Sequence, residues 1–312
     1  MAYPLAARRE GERYAGGDSM ATQFTQGTTV VELADGVFAR LHEGLTNAGI
    51  IVGDEGVLVI DSLRVPSFAR DLIEDVKRLT PKPIRYVVDT HSHWDHAWGN
   101  EEFPDATIIG HDNCRAEMLD VDLVEWWRNR AHTSGMPWSE EATTVTVTPP
   151  TLTFESSMRL VLGEREVHLR WLGRAHTSGD IFIHLPAERL VFTGDVAQDG
   201  GVPFILDGYV RDWVETDTRL VGLDADRFVS GHGPIGDHAA LEEARDFILA
   251  LAEGTDTAIA AGQDEQIAAR TVTESMTARF GQWRGFERLE DSARYAYRQA
   301  RASADAKPSE LR

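Results

Sequence analysis

Apolar and polar positions follow two distinct periods along the chain, and the change of period marks out its elements. Residues 29–33 and 37–41, separated by Ala34-Asp35-Gly36, predict a β-hairpin with a glycine-containing turn. Residues 48–52 and 57–60, around Gly53-Asp54-Glu55-Gly56, predict a second hairpin that runs into Asp61. From Pro66 the spacing becomes three or four. Phe68, Leu72, Ile73, Val76 and Leu79 then share one face of a helix that Pro81 and Pro83 close. Residues 84–88 form a short apolar strand, residues 107–110 another, and a helix is expected from about Asn113.

The pattern breaks between Glu117 and Pro150. Trp126, Trp127, His132, Met136 and Trp138 stand there among charged and polar residues, which suits a lid or wall of an active site, or a cap on the core. Strand-like runs return at 151–154, 158–162, 167–172, 181–185, 190–192 and 227–230, with helices predicted over 214–223 and 239–251. No repeat of fixed period is present, but two β-rich blocks, each followed by helix, point to a two-halved architecture. After Gly254 the chain is helical in character over 265–280 and 286–302, broken by Gly281-Gln282-Trp283-Arg284-Gly285. The expected organisation is an N-terminal tail (1–27), a main domain (28–253) with the aromatic insertion 117–150, and a helical C-terminal extension (254–312).

Composition narrows the class. A chain of 312 residues with 42% hydrophobic content can bury a full core. Its 31 basic and 51 acidic residues give a formal net charge of −20, a field that repels phosphate backbones and anionic membrane surfaces. Neither nucleic acid nor membrane is therefore an expected partner. Cys114 is the one cysteine, so no disulfide can form within the chain. Residues 1–27 contain no apolar run of the ~7–15 residues that a secretory signal needs, and no segment approaches the ~18 of a membrane span. These features lead to the expectation of a soluble, cytoplasmic protein with a flexible N-terminal tail.

The chemistry concentrates after the strand at 84–88, in Thr90-His91-Ser92-His93-Trp94-Asp95-His96. Three imidazoles and a carboxylate within six residues make a poor core and a good cation site, because imidazole nitrogen and carboxylate oxygen are what zinc-like ions bind. Three later strand ends each deliver one further group: His176 after 167–172, Asp195 after 190–192 and His232 after 227–230.

This series, H-x-H-x-D-H followed by a lone His, an Asp and a Gly-His-Gly, resembles the metallo-β-lactamase superfamily over roughly residues 29–251. The resemblance implies an α/β fold, an αββα sandwich with its metals in a groove at one edge of the two sheets. It implies that His91, His93 and His176 hold one metal, that Asp95, His96 and His232 hold a second, and that Asp195 bridges them, with Asp95 and Asp195 as the catalytic carboxylates. Two zinc ions are the expected cofactors, with iron or manganese as alternatives. The implied reaction is cleavage of an ester, thioester or lactone by a metal-bridging hydroxide. β-Lactam hydrolysis and di-iron oxidoreductase chemistry are the alternatives.

The cysteine ligand of many metallo-β-lactamases is missing, since Asp195 takes its place in order. A bridging aspartate is similar to glyoxalase II, the lactonases and related thioesterases, although no basic cluster of the glutathione-binding type is evident. Asp61 and Asp180 are expected to orient ligating imidazoles through their far N–H groups. His132 and Tyr209 are pocket candidates, whereas His42, His111, His168, His184 and His238 are read as surface or strand residues. Trp126, Trp127, Trp138, Phe204 and the loop after Gly200 form the expected specificity surface, suited to an apolar acyl compound. The C-terminal helices could pack on the core, complete the pocket or join a homodimer.

Overall fold

Two sheets, one of eight strands and one of six, pack face to face and carry helices on their outer faces. The computed structural model describes residues 13–14 and 27–305. The expected flexible tail thus lies outside the described residues, apart from residues 13, 14 and 27.

The first sheet runs in chain order: β1 (Arg13–Tyr14), β2 (Thr28–Ala34), β3 (Val37–His42), β4 (Ala48–Val52), β5 (Val57–Ile60), β6 (Ile84–Val88), β7 (Thr107–His111) and β8 (Leu152–Phe154). Strands β1 to β5 are antiparallel and β5 to β8 parallel. The switch falls where the sequence changes period, because parallel neighbours need a crossover and α1 (Pro66–Leu79) supplies it. Between β6 and β7 lie the short helix α2 (Trp94–Ala97) and a 3-10 turn, Trp98–Glu102. Between β7 and β8 come α3 (Asp112–Leu119), α4 (Val121–His132) and α5 (Ser139–Ala142).

The second sheet holds β9 (Ser157–Leu162), β10 (Arg165–Trp171), β11 (Ile181–Leu185), β12 (Leu190–Gly194), β13 (Arg227–Ser230) and β14 (Ile235–Asp237), in the order β14-β13-β12-β11-β10-β9. Helix α6 (Val210–Val221) crosses between the parallel strands β12 and β13. Strands β11 and β12 are buried at every position, as expected of strands covered on both faces, whereas β9 at the edge alternates.

Three apolar layers follow. Val37, Ile51, Leu58 and Val88 of the first sheet meet Leu169, Ile183 and Phe192 of the second between the sheets. Leu72 and Val76 of α1, with Trp98, Trp127 and Trp138, cover the outer face of the first sheet. Trp213 of α6 and the C-terminal helices cover the second. These helices are α7 (His238–Ala260), α8 (Glu265–Phe280) and α9 (Leu289–Asp305). The arrangement is an αββα sandwich whose C-terminal helices pack on the core.

Helix α7 runs nine residues past the expected end at 251, so the proposed division after residue 253 falls inside it. Gly254 does not break the helix and packs against Val272 of α8. Strand β14 follows Pro234, where three residues offer too little pattern to be read. Among the described residues no helix is long and apolar enough to cross a membrane.

Candidate metal centre

Strand β6 ends at Val88, and the chain bends over residues 90–92 before an extended His93 leads into α2. The bends set the His91 and His93 rings 4.8 Å apart, and the first turn of α2 carries Asp95 and His96, whose ring lies 4.2 Å from that of His91. The loops after β10, β12 and β13 bring in His176, Asp195 and His232. All seven expected side chains meet. His91, His93 and His176 present ligand atoms within 4.8 Å of one another, as do Asp95, His96 and His232, and a third group joins His91, His96 and Asp195. Asp195 lies between the two halves: Oδ1 is 3.3 Å from Nε2 of His96, and Oδ2 is 3.3 Å from Nε2 of His232 and 3.7 Å from Nε2 of His176.

Each imidazole is oriented by a contact on its outer nitrogen. His91 Nδ1 meets Thr90 Oγ1 at 3.0 Å, and His96 Nδ1 meets Asp61 Oδ2 at 2.7 Å. His176 Nδ1 donates to the Phe204 carbonyl at 2.8 Å, and His232 Nδ1 to that of Leu45 at 3.1 Å. His93 is turned the other way, with Nε2 on Asp207 at 3.2 Å and Nδ1 on His176 Nε2 at 2.9 Å.

Inner atoms are left bare. His91 Nε2, His96 Nε2 and Asp195 Oδ1 are buried without a hydrogen-bond partner, although their outer neighbours are satisfied. Orphaned buried polar atoms are rare and costly; several converging on one point fit a cation site, and the donor set suits a zinc-like ion.

Electrostatics divide the seven groups. Burial pushes His91 well below the ordinary histidine range, and burial followed by the neighbouring His93 takes His176 to about 3. Both present neutral nitrogen. Burial would lower His96 and His232 as well, but Asp195 and Asp95 overcome it, raising His96 well above its ordinary value and His232 to about 9. Burial would raise Asp95 and Asp195, and there the facing imidazoles His96 and His232 win, holding both carboxyls well below the usual range.

Several supporting residues carry no local signal in the sequence. Arg64, which is 4% exposed, lies within 5.5 Å of the ring centroids of Phe68, Trp94 and Trp138. It donates to Thr46 Oγ1 at 2.9 Å, and Thr46 donates to Asp95 Oδ2 at 2.9 Å. Glu117 of α3 accepts from both Ser92 and Ser178, tying the loop of His91 and His93 to that of His176.

The other expected site residues divide. Asp61 orients His96 as anticipated. Asp180 does not touch a ligating imidazole: its carboxylate accepts from Thr177 N at 2.8 Å and Thr177 Oγ1 at 2.9 Å, closing the turn after His176. The Thr-Ser-Gly-Asp spacing favours that local bond. His132 is exposed beside Glu140, and Tyr209 lies under Arg174 in a separate cavity of about 300 Å3. His111, read as surface or strand, is buried at the end of β7 and stacked on Trp171. In the insertion, Trp127 stands 4.6 Å from the His93 ring and 5.9 Å from Phe204, Trp138 packs on Trp94 in the core, and Trp126 is exposed.

The comparisons agree with this picture. The chain is 28% identical over 221 residues to the alpha subunit of 2,4-dinitroanisole O-demethylase of Nocardioides sp. (strain JS1661), an alignment covering 69% of this chain and 58% of that protein. To the human acyl-coenzyme A thioesterase MBLAC2 it is 28% identical over 211 residues, covering 61% and 74% of the two chains. Among solved structures, the sec-alkylsulfatase Pisa1 from Pseudomonas sp. has the same fold, with a TM-score of 0.69 at 19% identity over 91% of this chain and 52% of that one. The family model described as the metallo-beta-lactamase superfamily matches residues 42–232, which contain the whole histidine and aspartate set, and this chain belongs to that superfamily.

Proposed function

We propose that this chain is a metal-dependent hydrolase that cleaves an ester, thioester or lactone. The reading is carried by one observation: seven convergent imidazole and carboxylate groups in two clusters, with Asp195 between them and unsatisfied atoms turned inward. His91, His93 and His176 would hold one divalent cation, Asp95, His96 and His232 a second, and Asp195 would contact both. When bound, the cations supply Lewis acidity toward water and toward the carbonyl under attack.

The chain's own groups supply the rest. Asp95 Oδ2 accepts from Thr46, which in turn accepts from the buried Arg64, so this carboxylate is held in one orientation toward the second cation. Asp61, Thr90 and Asp207 hold the imidazoles in one orientation, so no reorganisation accompanies the reaction. Products are the carboxylic acid and the alcohol or thiol, with the elements of water shared between them.

The human relative's name, an acyl-coenzyme A thioesterase, supports acyl transfer to water over β-lactam opening. So does Asp195 at the central position, while the single cysteine, Cys114, is buried against Met118 and belongs to another cluster. The test is the metal content of the purified protein, followed by ester, thioester, lactone and β-lactam substrates with and without chelator. Chelator-sensitive cleavage of the first three, abolished in Asp95→Ala and His176→Ala, is the expected result. Activity indifferent to chelator and to both substitutions overturns the mechanism. Two equivalents of iron with oxygen uptake would move the assignment to an oxidoreductase.

A further inference from the structure

The loop between α8 and α9 belongs to the C-terminal helices, yet it reaches the metal centre. Arg284 pairs with Gly201 as a parallel bridge: its N–H donates to the Gly200 carbonyl at 2.9 Å, and Val202 N–H donates to its carbonyl at 2.9 Å. The side chain then lies along bare backbone. A Cβ on Gly233 would come within 2.3 Å of Arg284 Nη2, and one on Gly201 within 2.9 Å. Gly233 directly follows His232. One turn later, Arg288 donates Nη2 to the Val202 carbonyl at 3.1 Å. Both guanidinium groups line one cavity of about 750 Å3 with Asp195 and His232, and Leu45 and Phe204 supply part of its apolar wall.

Arg284 and Arg288 are both exposed, in a chain of formal charge −20. Among the described residues, neither Arg284 nor Arg288 has a carboxylate oxygen within 4.0 Å. Asp199 feels the charge of Arg284, and Glu43 lines the same cavity, but neither forms an ion pair with these two. Backbone carbonyls anchor one edge of each guanidinium, Arg284 through Nη2 on Asp199 and Arg288 through Nη2 on Val202, with a longer Nε contact to Gly285. Arg284 Nε and Nη1 and Arg288 Nη1 have no partner among the described residues. Both arginines are exposed and line the same cavity, each anchored by one edge to a backbone carbonyl with N–H groups left over, and two such planar donors match an oxyanion.

We propose that Arg284 and Arg288 form an oxyanion-recognition subsite, so that the substrate carries a carboxylate, sulfate or phosphate group in addition to its scissile bond. The anion subsite stands on the arginines themselves, while its service to catalysis rests on the hydrolase reading above.

Two measurements on the full, metal-loaded chain test it. In the first, hexanoate, hexyl sulfate, hexyl phosphate and 1-hexanol are titrated by calorimetry into the wild type, R284Q/R288Q and R284K/R288K. At least one anion is expected to bind about tenfold or more tightly than hexanol, with that margin lost in the glutamine variant and partly restored by lysine. The preferred anion identifies the oxyanion class. Equal affinity for hexanol and all three anions, or an anion margin unchanged in R284Q/R288Q, overturns the proposal.

In the second, kcat/KM is compared for 4-nitrophenyl butyrate and mono-4-nitrophenyl glutarate, which differ in a terminal carboxylate. The preference for the glutarate is expected to fall about tenfold in R284Q/R288Q through KM. An unchanged ratio at unaltered melting temperature and metal content overturns the subsite. A wild type that binds anions through the arginines but cleaves none of the ester, thioester and lactone substrates sinks the hydrolase reading and leaves the subsite standing. If the double variant fails to fold, R288Q, which gives up one carbonyl anchor, is read by the same criteria.

Discussion

The Oδ2 atom of Asp61 sits 2.7 Å from Nδ1 of His96, and the same carboxylate accepts from Thr90 N and Oγ1. One side chain therefore fixes the first and last histidines of the motif, His96 directly and His91 through Thr90. Asp61 also holds a left-handed backbone, φ 62°, which aspartate and asparagine tolerate better than most residues. Asp61→Asn keeps that backbone and removes the charge. Metal affinity should fall about 10–100-fold, by competition with a chromophoric chelator. An affinity within twofold of wild type would refute the positioning role.

Gly231 leaves room for the centre. A Cβ at this position would stand 2.1 Å from Asp195 Oδ1 and 2.6 Å from Cε1 of His96. Gly231→Ala should thus displace both side chains, with most activity and bound metal lost while the circular dichroism spectrum stays native. Full metal occupancy in this variant would show that the site is looser than its geometry indicates.

Ligand binding that favours the folded state adds stability by mass action, about 2.7 kcal/mol at a concentration one hundred times Kd. Chelation should therefore lower the melting temperature by a few degrees, and zinc, manganese or iron(II) should restore it. A melting temperature that responds to neither treatment would argue against a cation at the seven-residue cluster.

Asp217 gives a stability prediction away from the centre. It is 1% exposed on the inner face of α6, and neither carboxylate oxygen has a hydrogen-bond partner. Burial pushes its carboxyl well above the usual range, with the neighbouring Trp213 indole and then Arg245 opposing. A folded-state pKa above the unfolded value of about 3.9 means the penalty is absent below that pH, grows as pH rises toward the folded value and is constant beyond it. Asp217→Asn should stabilise the protein at pH 8 by about 1–3 kcal/mol in urea unfolding, with the gain shrinking as pH falls toward 4.5. A gain that is flat with pH, or larger in acid, would contradict the burial argument.

Much of the fold can be read from the chain because its strands are short and its ligands stand at their ends. The run 84–88 and the later runs before His176, Asp195 and His232 announce themselves by apolar content and by the polar residue that stops each one. The supporting contacts cannot be read in this way. Asp207 meets His93 across 114 positions, and the hydrogen-bonded path from Arg64 to Asp95 runs through Thr46. Nothing periodic marks either. Asp180 misleads because a local bond to Thr177 is as compatible with its spacing as a distant one to histidine. Arg284 is hidden in what looks like a mere helix break, since its importance comes from pairing with Gly201 across the fold.

Thr46, before β4, and His232, after β13, form a bridge between the two sheets. The first half of the chain supplies four of the clustered groups and the second half three, so neither half encloses a site by itself. The seven-residue cluster thus ties the two halves of the chain together. Any motion that slides one sheet over the other must first open it, and a bound cation would resist that motion from both sides.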